Sequence, residues 1–265
     1  MTERQIAAAL RGTVLDGHAV EEGLGGTFLV DDVDPTDLVT SWQAARRTGR
    51  HPVFTLPGDL DHEPEPAELA SLDQSARTTD PWSVYRRADY QQEVERYVAA
   101  FLGPGMVDRA VEQLPRPTTD AALQRWVYDT VLADPSPAAR VAPGFAYLIG
   151  TKRWHTWPEV QLVLLPTTSS WLAPAWVNYF GAARPDGQAA WAAALWQWDQ
   201  HWGAGLVAAW GTMLQLLTTR RPAPGDQAWQ LAGQLLAVGG SLECEQWQLA
   251  IALTQDDAWF LHDRP

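Results

Sequence analysis

Between Thr27 and Leu56 the spacing of apolar positions changes twice. Thr27-Phe28-Leu29-Val30 is a short apolar run that predicts a strand. Asp34 then reads as a helix N-cap, with Pro35 at the first helical position and Asp37 near the positive helix end. Leu38, Trp42 and Ala45 recur at helical spacing, and Gly49 stands where a helix stop belongs. Pro52-Val53-Phe54-Thr55-Leu56 predicts a second strand, with proline at its first position, where a strand can forgo one donor. Apolar periodicity then fades. Gly58 to Asp80 carries Asp59, Asp61, Glu63, Glu65, Glu68, Asp73 and Asp80 around Pro64 and Pro66, and is expected to be a solvated loop.

Residues 82–133 predict helices in two or three pieces. Tyr90, Val94, Tyr97, Val98 and Phe101 form one stripe that Gly103-Pro104-Gly105 ends, and Leu123, Trp126, Val127 and Val131 form another. Asp134-Pro135-Ser136-Pro137 breaks the chain. From about Pro143, strands mix with helices. Phe145–Ile149, Val160–Leu165 and Trp259–Leu261 read as strands, and Leu206–Trp210 with Met213–Thr218 as a hairpin turning near Gly211-Thr212. Helices are predicted from Gln188 to Trp202 with a stop at Gly203, from an Asp226 cap to Val238, and from Glu243 to Thr254. The order implies an α+β fold: a mixed or antiparallel sheet with packed helices in the C-terminal half, a helical middle segment, and a small strand-helix-strand unit at the N-terminus. The corresponding division is 1–80, 81–142 and 143–265.

Composition narrows the function classes. The chain has 265 residues with 46% hydrophobic and 19% charged, a globular balance. Its net charge of −13 is concentrated at −9 in residues 1–80, and it disfavours nucleic acid and anionic membranes. An acid-rich surface that docks a basic partner is the functional alternative to a merely solvated one. No apolar run reaches the roughly 18–20 residues of a membrane helix, and no signal-peptide core follows Met1, so a cytoplasmic setting is expected. Cys244 is the single cysteine, which excludes an internal disulfide and a cysteine zinc cluster. It lies between Glu243 and Glu245, whose charges would raise its thiol pKa and make it a poor nucleophile.

The 15 tryptophans are the compositional oddity, because 12 of them follow residue 150. Each helical residue advances about 100°, so Trp191, Leu195, Trp198 and Trp202 share one face and are expected in the core. Trp196 points away from that stripe and is a candidate for an interface. The histidines offer no pair at one-turn spacing, Asp199 and His201 do not face each other, and no Gly-x-Ser-x-Gly elbow occurs. Gly23, Gly25 and Gly26 precede a strand, the wrong order for a phosphate cradle. No metal and no cofactor is expected.

Several segments resemble a known bacterial family. They are Val163-Leu164-Leu165-Pro166, Trp171 to Trp176, Tyr179-Phe180-Gly181, Trp198-Asp199-Gln200-His201-Trp202-Gly203-Ala204 and Trp259-Phe260-Leu261-His262. Together they resemble the domain of unknown function 4253 over about residues 143–265. Trp42, Arg46 and Thr48–Val53 are similar to the segment that often precedes it. The resemblance implies two departures. Many members continue the Phe-Gly turn into glycine, tryptophan, asparagine and cysteine, where this chain has Ala182-Ala183-Arg184-Pro185. They also carry a cysteine and an acidic residue where this chain has Ala237–Ser241. If those positions are catalytic in the family, this chain should be inactive. The resemblance carries fold rather than activity.

Two functions follow as expectations. The first is a non-catalytic interaction module, of accessory or immunity type, that binds a protein partner or associates with itself. Its candidate binding residues are Trp154, His155, Trp171, Trp176, Asn178, Trp196 and His201. The second is an enzyme acting on a small polar substrate in a cleft around Trp154, His155, Asn178 and His201. A deep pocket with clustered titratable groups would favour the second, and an exposed apolar patch the first.

Overall fold

Short apolar runs buried on both faces supply the centre of a seven-stranded sheet. The computed structural model describes residues 1–60, 62–134 and 144–265. Its strands are β1 (Val20–Glu22), β2 (Phe28–Val30), β3 (His51–Thr55), β4 (Gln161–Leu165), β5 (Gly205–Ala209), β6 (Met213–Leu217) and β7 (Ala258–His262). They run in the order β1-β2-β4-β3-β5-β6-β7. Every pairing is antiparallel except β3 with β5, which is parallel through Phe54 and Ala208. The expected mixed sheet is thus present, and β4 inserts between β2 and β3, so strands from before residue 60 and after residue 160 share it. The expected hairpin is β5–β6, with Gly211 at φ 72° in its turn.

Helices cover both faces. On one face lie α1 (Glu3–Leu10) and α2 (Leu38–Ala45), whose Ile6, Leu10, Leu38 and Trp42 pack on Phe54, Leu162 and Leu164. The chain continues through α3 (Pro66–Thr78), α4 (Pro81–Val84), α5 (Val94–Phe101), α6 (Val107–Gln113), α7 (Asp120–Ala133) and α8 (Ala146–Ile149). It closes with α9 (Gly187–Trp202), α10 (Asp226–Val238) and α11 (Gln246–Ala252). These later helices share the larger core with Val53, Val163 and Leu165 on the opposite face. No described helix is long and apolar enough to cross a membrane.

Four local expectations are corrected. The cap of α2 is Asp37, which accepts from the Thr40 amide at 3.2 Å, while Asp34 closes a turn onto Thr36. Most of the stretch expected to be an acidic loop is α3, because Leu69, Leu72 and Ala76 give it an apolar stripe that lies against α9. Pro66 opens that helix, where its missing N–H costs nothing. Phe145–Ile149 enters a helix rather than a strand: Leu148 and Ile149 are buried, and α8 packs beside β7. Asp226 is the first residue of α10, and Gly225 holds the cap position. The break at Pro135–Pro137, the boundary near residues 142–143 and Asp61 lie outside the described residues.

Candidate functional site

The start of β3, the end of β4, the start of β5, the end of β6 and the start of β7 fall at one end of the sheet. Their registers require it: His51 opposes Leu165, Gly205 opposes Leu217, and Leu217 opposes Ala258. The loops leaving these strand ends enclose a cleft of about 650 Å³. Arg46, Arg50 and His51 come from the entry to β3, and Thr168, Ser170 and Trp171 from the exit of β4. Asp199 and Gly203 come from the end of α9, Thr218 and Thr219 from the exit of β6, and Asp256 and Asp257 from the entry to β7.

Two glycines set its floor. Gly203 ends α9 at φ 59°, a left-handed conformation that glycine adopts without penalty, and a Cβ there would lie 2.0 Å from the Thr219 hydroxyl. Gly205 admits the ring of Trp42, which a Cβ would approach to 3.0 Å. The Trp42 indole N–H donates to the Pro52 carbonyl at 2.7 Å and to the Leu206 carbonyl at 3.1 Å. Trp42 in turn carries the Arg46 guanidinium 5.0 Å over its ring and meets His51 edge-on at 6.3 Å.

Charges in the cleft are unevenly matched. Arg50 donates to the carbonyls of Gly26 (2.7 Å) and Leu164 (3.2 Å). Arg221 grips Asp257 through both carboxylate oxygens, which holds that carboxyl below its ordinary range. By contrast, Arg46 makes no ion pair among the described residues. Among the described residues the Asp199 carboxylate bonds only the Gln200 side-chain amide, at 3.0 Å, and burial pushes its pKa up against that bond and the pull of Arg220 and Arg46. His51 is buried and its Nε2 has no hydrogen-bond partner among the described residues. Burial first, and the Arg46 charge second, push its pKa down to about 4.

A pH dependence follows. The unfolded chain titrates His51 near 6.5 whereas the fold keeps it neutral down to about 4, so within that window the unfolded state binds more protons. Stability is therefore lost as pH falls through the window, by up to about 3 kcal/mol. Urea midpoints measured across it are expected to fall less steeply for His51→Gln than for the parent. Equal slopes would remove His51 as the responsible group.

The residues singled out from sequence do not converge. Trp171 lines the strand-end cleft, and Asn178 lines a separate, more apolar cavity of about 510 Å³ beside Trp191. Trp154, His155, Trp176, Trp196 and His201 line neither. His155 stands edge-on to Trp157 at 5.1 Å, and its backbone carbonyl accepts from Gln215. Trp154 is half-buried on the α1/α2 face. Trp176 is buried with its N–H against Gly25, and Trp196 is half-buried against the larger core. His201 is exposed, its Nδ1 on the Gln197 carbonyl at 2.8 Å. The cleft residues that sequence reasoning missed are Arg46, His51 and Asp199. The only signal for them was their presence in the family-like segments, Asp199 in the run around Trp198 and the other two upstream.

Cys244 lies outside the cleft, its thiol pushed up to about 12 by burial and then by Glu245. No cluster of three metal-ligating side chains occurs among the described residues.

Residues 161–263 match the model of the family described as Domain of unknown function (DUF4253). The match runs from β4 to the residue after β7 and takes in α9, α10 and α11, whereas β1–β3 precede it. Trp171, Asp199 and Asp257 therefore belong to the matched region, and Arg46 and His51 to the segment before it. No curated protein and no solved structure matches the chain.

Proposed function

We propose that the chain binds a small polar molecule in the strand-end cleft, at the join between the family-matched region and the strands before it. The observation that carries this reading is the cavity itself: about 650 Å³, lined by the buried His51 and by Arg46, which makes no ion pair among the described residues. A cavity of small-molecule size lined by a few polar and charged side chains is the usual form of a ligand site. Perturbed titratable groups gathered in a cleft have the same bearing. A docking module would favour a continuous apolar face. Among the described residues, the large exposed apolar side chains Met1, Val14, Leu24, Tyr90, Phe101, Trp157 and Phe180 come from separate segments of the chain.

Thermal unfolding of the full chain against a panel of sugars, carboxylic acids, amino acids, amines and nucleotides tests the proposal. A ligand at about a hundred times its Kd adds about 2.7 kcal/mol, which moves Tm by several degrees. The parent is expected to respond to at least one class, and Arg46→Ala and His51→Gln to lose most of that response. No response, or an undiminished response in both variants, would reject the cleft as a binding site.

A further inference from the structure

We infer that the ligand of this cleft is a neutral sugar of one or two rings. The inference rests on the binding role proposed above and adds the ligand's chemical class. Charges of both signs line the cleft from different walls: Arg46 and Arg50 at the entry to β3, Asp199 at the end of α9, and Asp256 and Asp257 at the entry to β7. An anionic ligand would meet three carboxylates and a cationic one two guanidinium groups, so neither sign is favoured throughout. A hydroxyl suits both, because it donates one hydrogen bond and has two lone pairs with which to accept. It can donate to a carboxylate on one wall and accept from a guanidinium on another, and bonds to charged partners are the stronger kind.

Uncharged groups extend the pattern. The side chains of Gln43, Thr168 and Ser170 line the cleft and make no hydrogen bond among the described residues. The Thr218 and Thr219 hydroxyls donate to the carbonyls of Asp257 (3.2 Å) and Trp202 (3.4 Å), which leaves their lone pairs free to accept. Polar groups thus reach the cavity from several strand and helix ends. That distribution fits hydroxyls set around the rim of a sugar ring better than the few polar edges of a flat nucleobase. Trp171 supplies the apolar counterpart. Its N–H donates to Asp73 at 2.8 Å, and the same carboxylate holds Arg77 at 3.0 and 3.1 Å, with the guanidinium 5.4 Å from the ring centre. The indole is therefore fixed from α3 and offers the cleft carbon surface only. Sugar C–H groups carry a small positive charge that an aromatic face attracts. A cavity of about 650 Å³ is ample for one or two such rings.

Calorimetry on the full chain tests the class directly. The probes are neutral mono- and disaccharides, followed by the uronic acid and the amino sugar that match the tightest binder in configuration. Simple carboxylates, amines and free nucleobases are titrated alongside. A neutral sugar is expected to bind, and its two charged counterparts about tenfold or more weakly, because each sets a like charge against part of the lining. Trp171→Ala is expected to weaken the neutral sugar about tenfold through the lost ring surface, and Ser170→Ala about fivefold through one lost hydrogen bond. Ser170→Ala removes a single oxygen, so it keeps the test decisive should Trp171→Ala fail to fold. Charged counterparts that bind as tightly as the neutral sugar would overturn the inference, as would sugar binding that Ser170→Ala and a folded Trp171→Ala leave unchanged. So would a cleft that accepts a carboxylate, an amine or a nucleobase but no sugar, although binding at the site would then stand. If no probe of any kind binds, both proposals fall.

Discussion

Replacing Trp198 by alanine is expected to lower the unfolding free energy by about 4 kcal/mol, read from urea denaturation of the purified chain. The ring is 1% exposed and belongs to the stripe of α9 that also buries Trp191 and Leu195. It lies 6.0 Å from the Trp82 ring and stands edge-on to Trp259 at 5.8 Å, and its N–H donates to the Gln234 side chain at 3.0 Å. Alanine therefore removes a large apolar volume, two aromatic contacts and one hydrogen bond, and close packing around the site limits collapse into the void. The effect reaches the cleft as well, since Asp199 is the next residue and Gly203 closes the same helix end through the Asp199 carbonyl. Trp196→Ala, half-exposed on another side of the helix, is expected to cost far less. Similar losses in the two variants would contradict the assignment of the tryptophan stripe to interior packing.

That stripe was legible because its indoles recur at the helical period over several turns, and the α9 stop was legible because glycine follows the last of them. The strand at Gln161–Leu165 was legible for a related reason: a run without polar interruption has to be buried on both faces, as it is at the sheet centre. Legibility failed where two signals competed. In Pro66–Thr78 the carboxylates hid a sparse apolar stripe of Leu69, Leu72 and Ala76, and tertiary packing against α9 decided the outcome. Phe145–Ile149 is too short for its period to separate a buried helix turn from a strand. The cleft was hidden for a topological reason. Arg46 and Asp199 lie about one hundred and fifty positions apart, and they line one cleft because β3 is seated between β4 and β5. Local spacing holds no trace of that arrangement, whereas sequence neighbours such as Trp154 and His155 stand together in the chain and lie outside this cleft.

Trp42→Ala is expected to cost about 4 kcal/mol and to weaken ligand binding in the same variant. The site concentrates several dependencies in one side chain. Trp42 is 4% exposed, and its N–H bridges the carbonyl of Pro52 in β3 and that of Leu206 in β5, the two strands of the parallel pairing. That pairing is registered by the Phe54–Ala208 pair, so the indole reinforces the seam where the N-terminal strands join the family-matched region. Trp42→Phe separates packing from hydrogen bonding. It keeps most of the ring but leaves two buried carbonyls without this donor, at about 1–3 kcal/mol for a group left unsatisfied. A Phe variant about 2 kcal/mol below the parent, with faster amide exchange over Gly205–Ala209, would show the bridge contributing beyond ring volume. Arg46 and His51 both rest against the indole, so the Ala variant is expected to lose ligand response even at temperatures where it remains folded. An Ala variant with unaltered binding would mean that the strand-end cleft does not depend on the residue on which its arginine and histidine stand, and the ligand would then have to be sought elsewhere on the molecule.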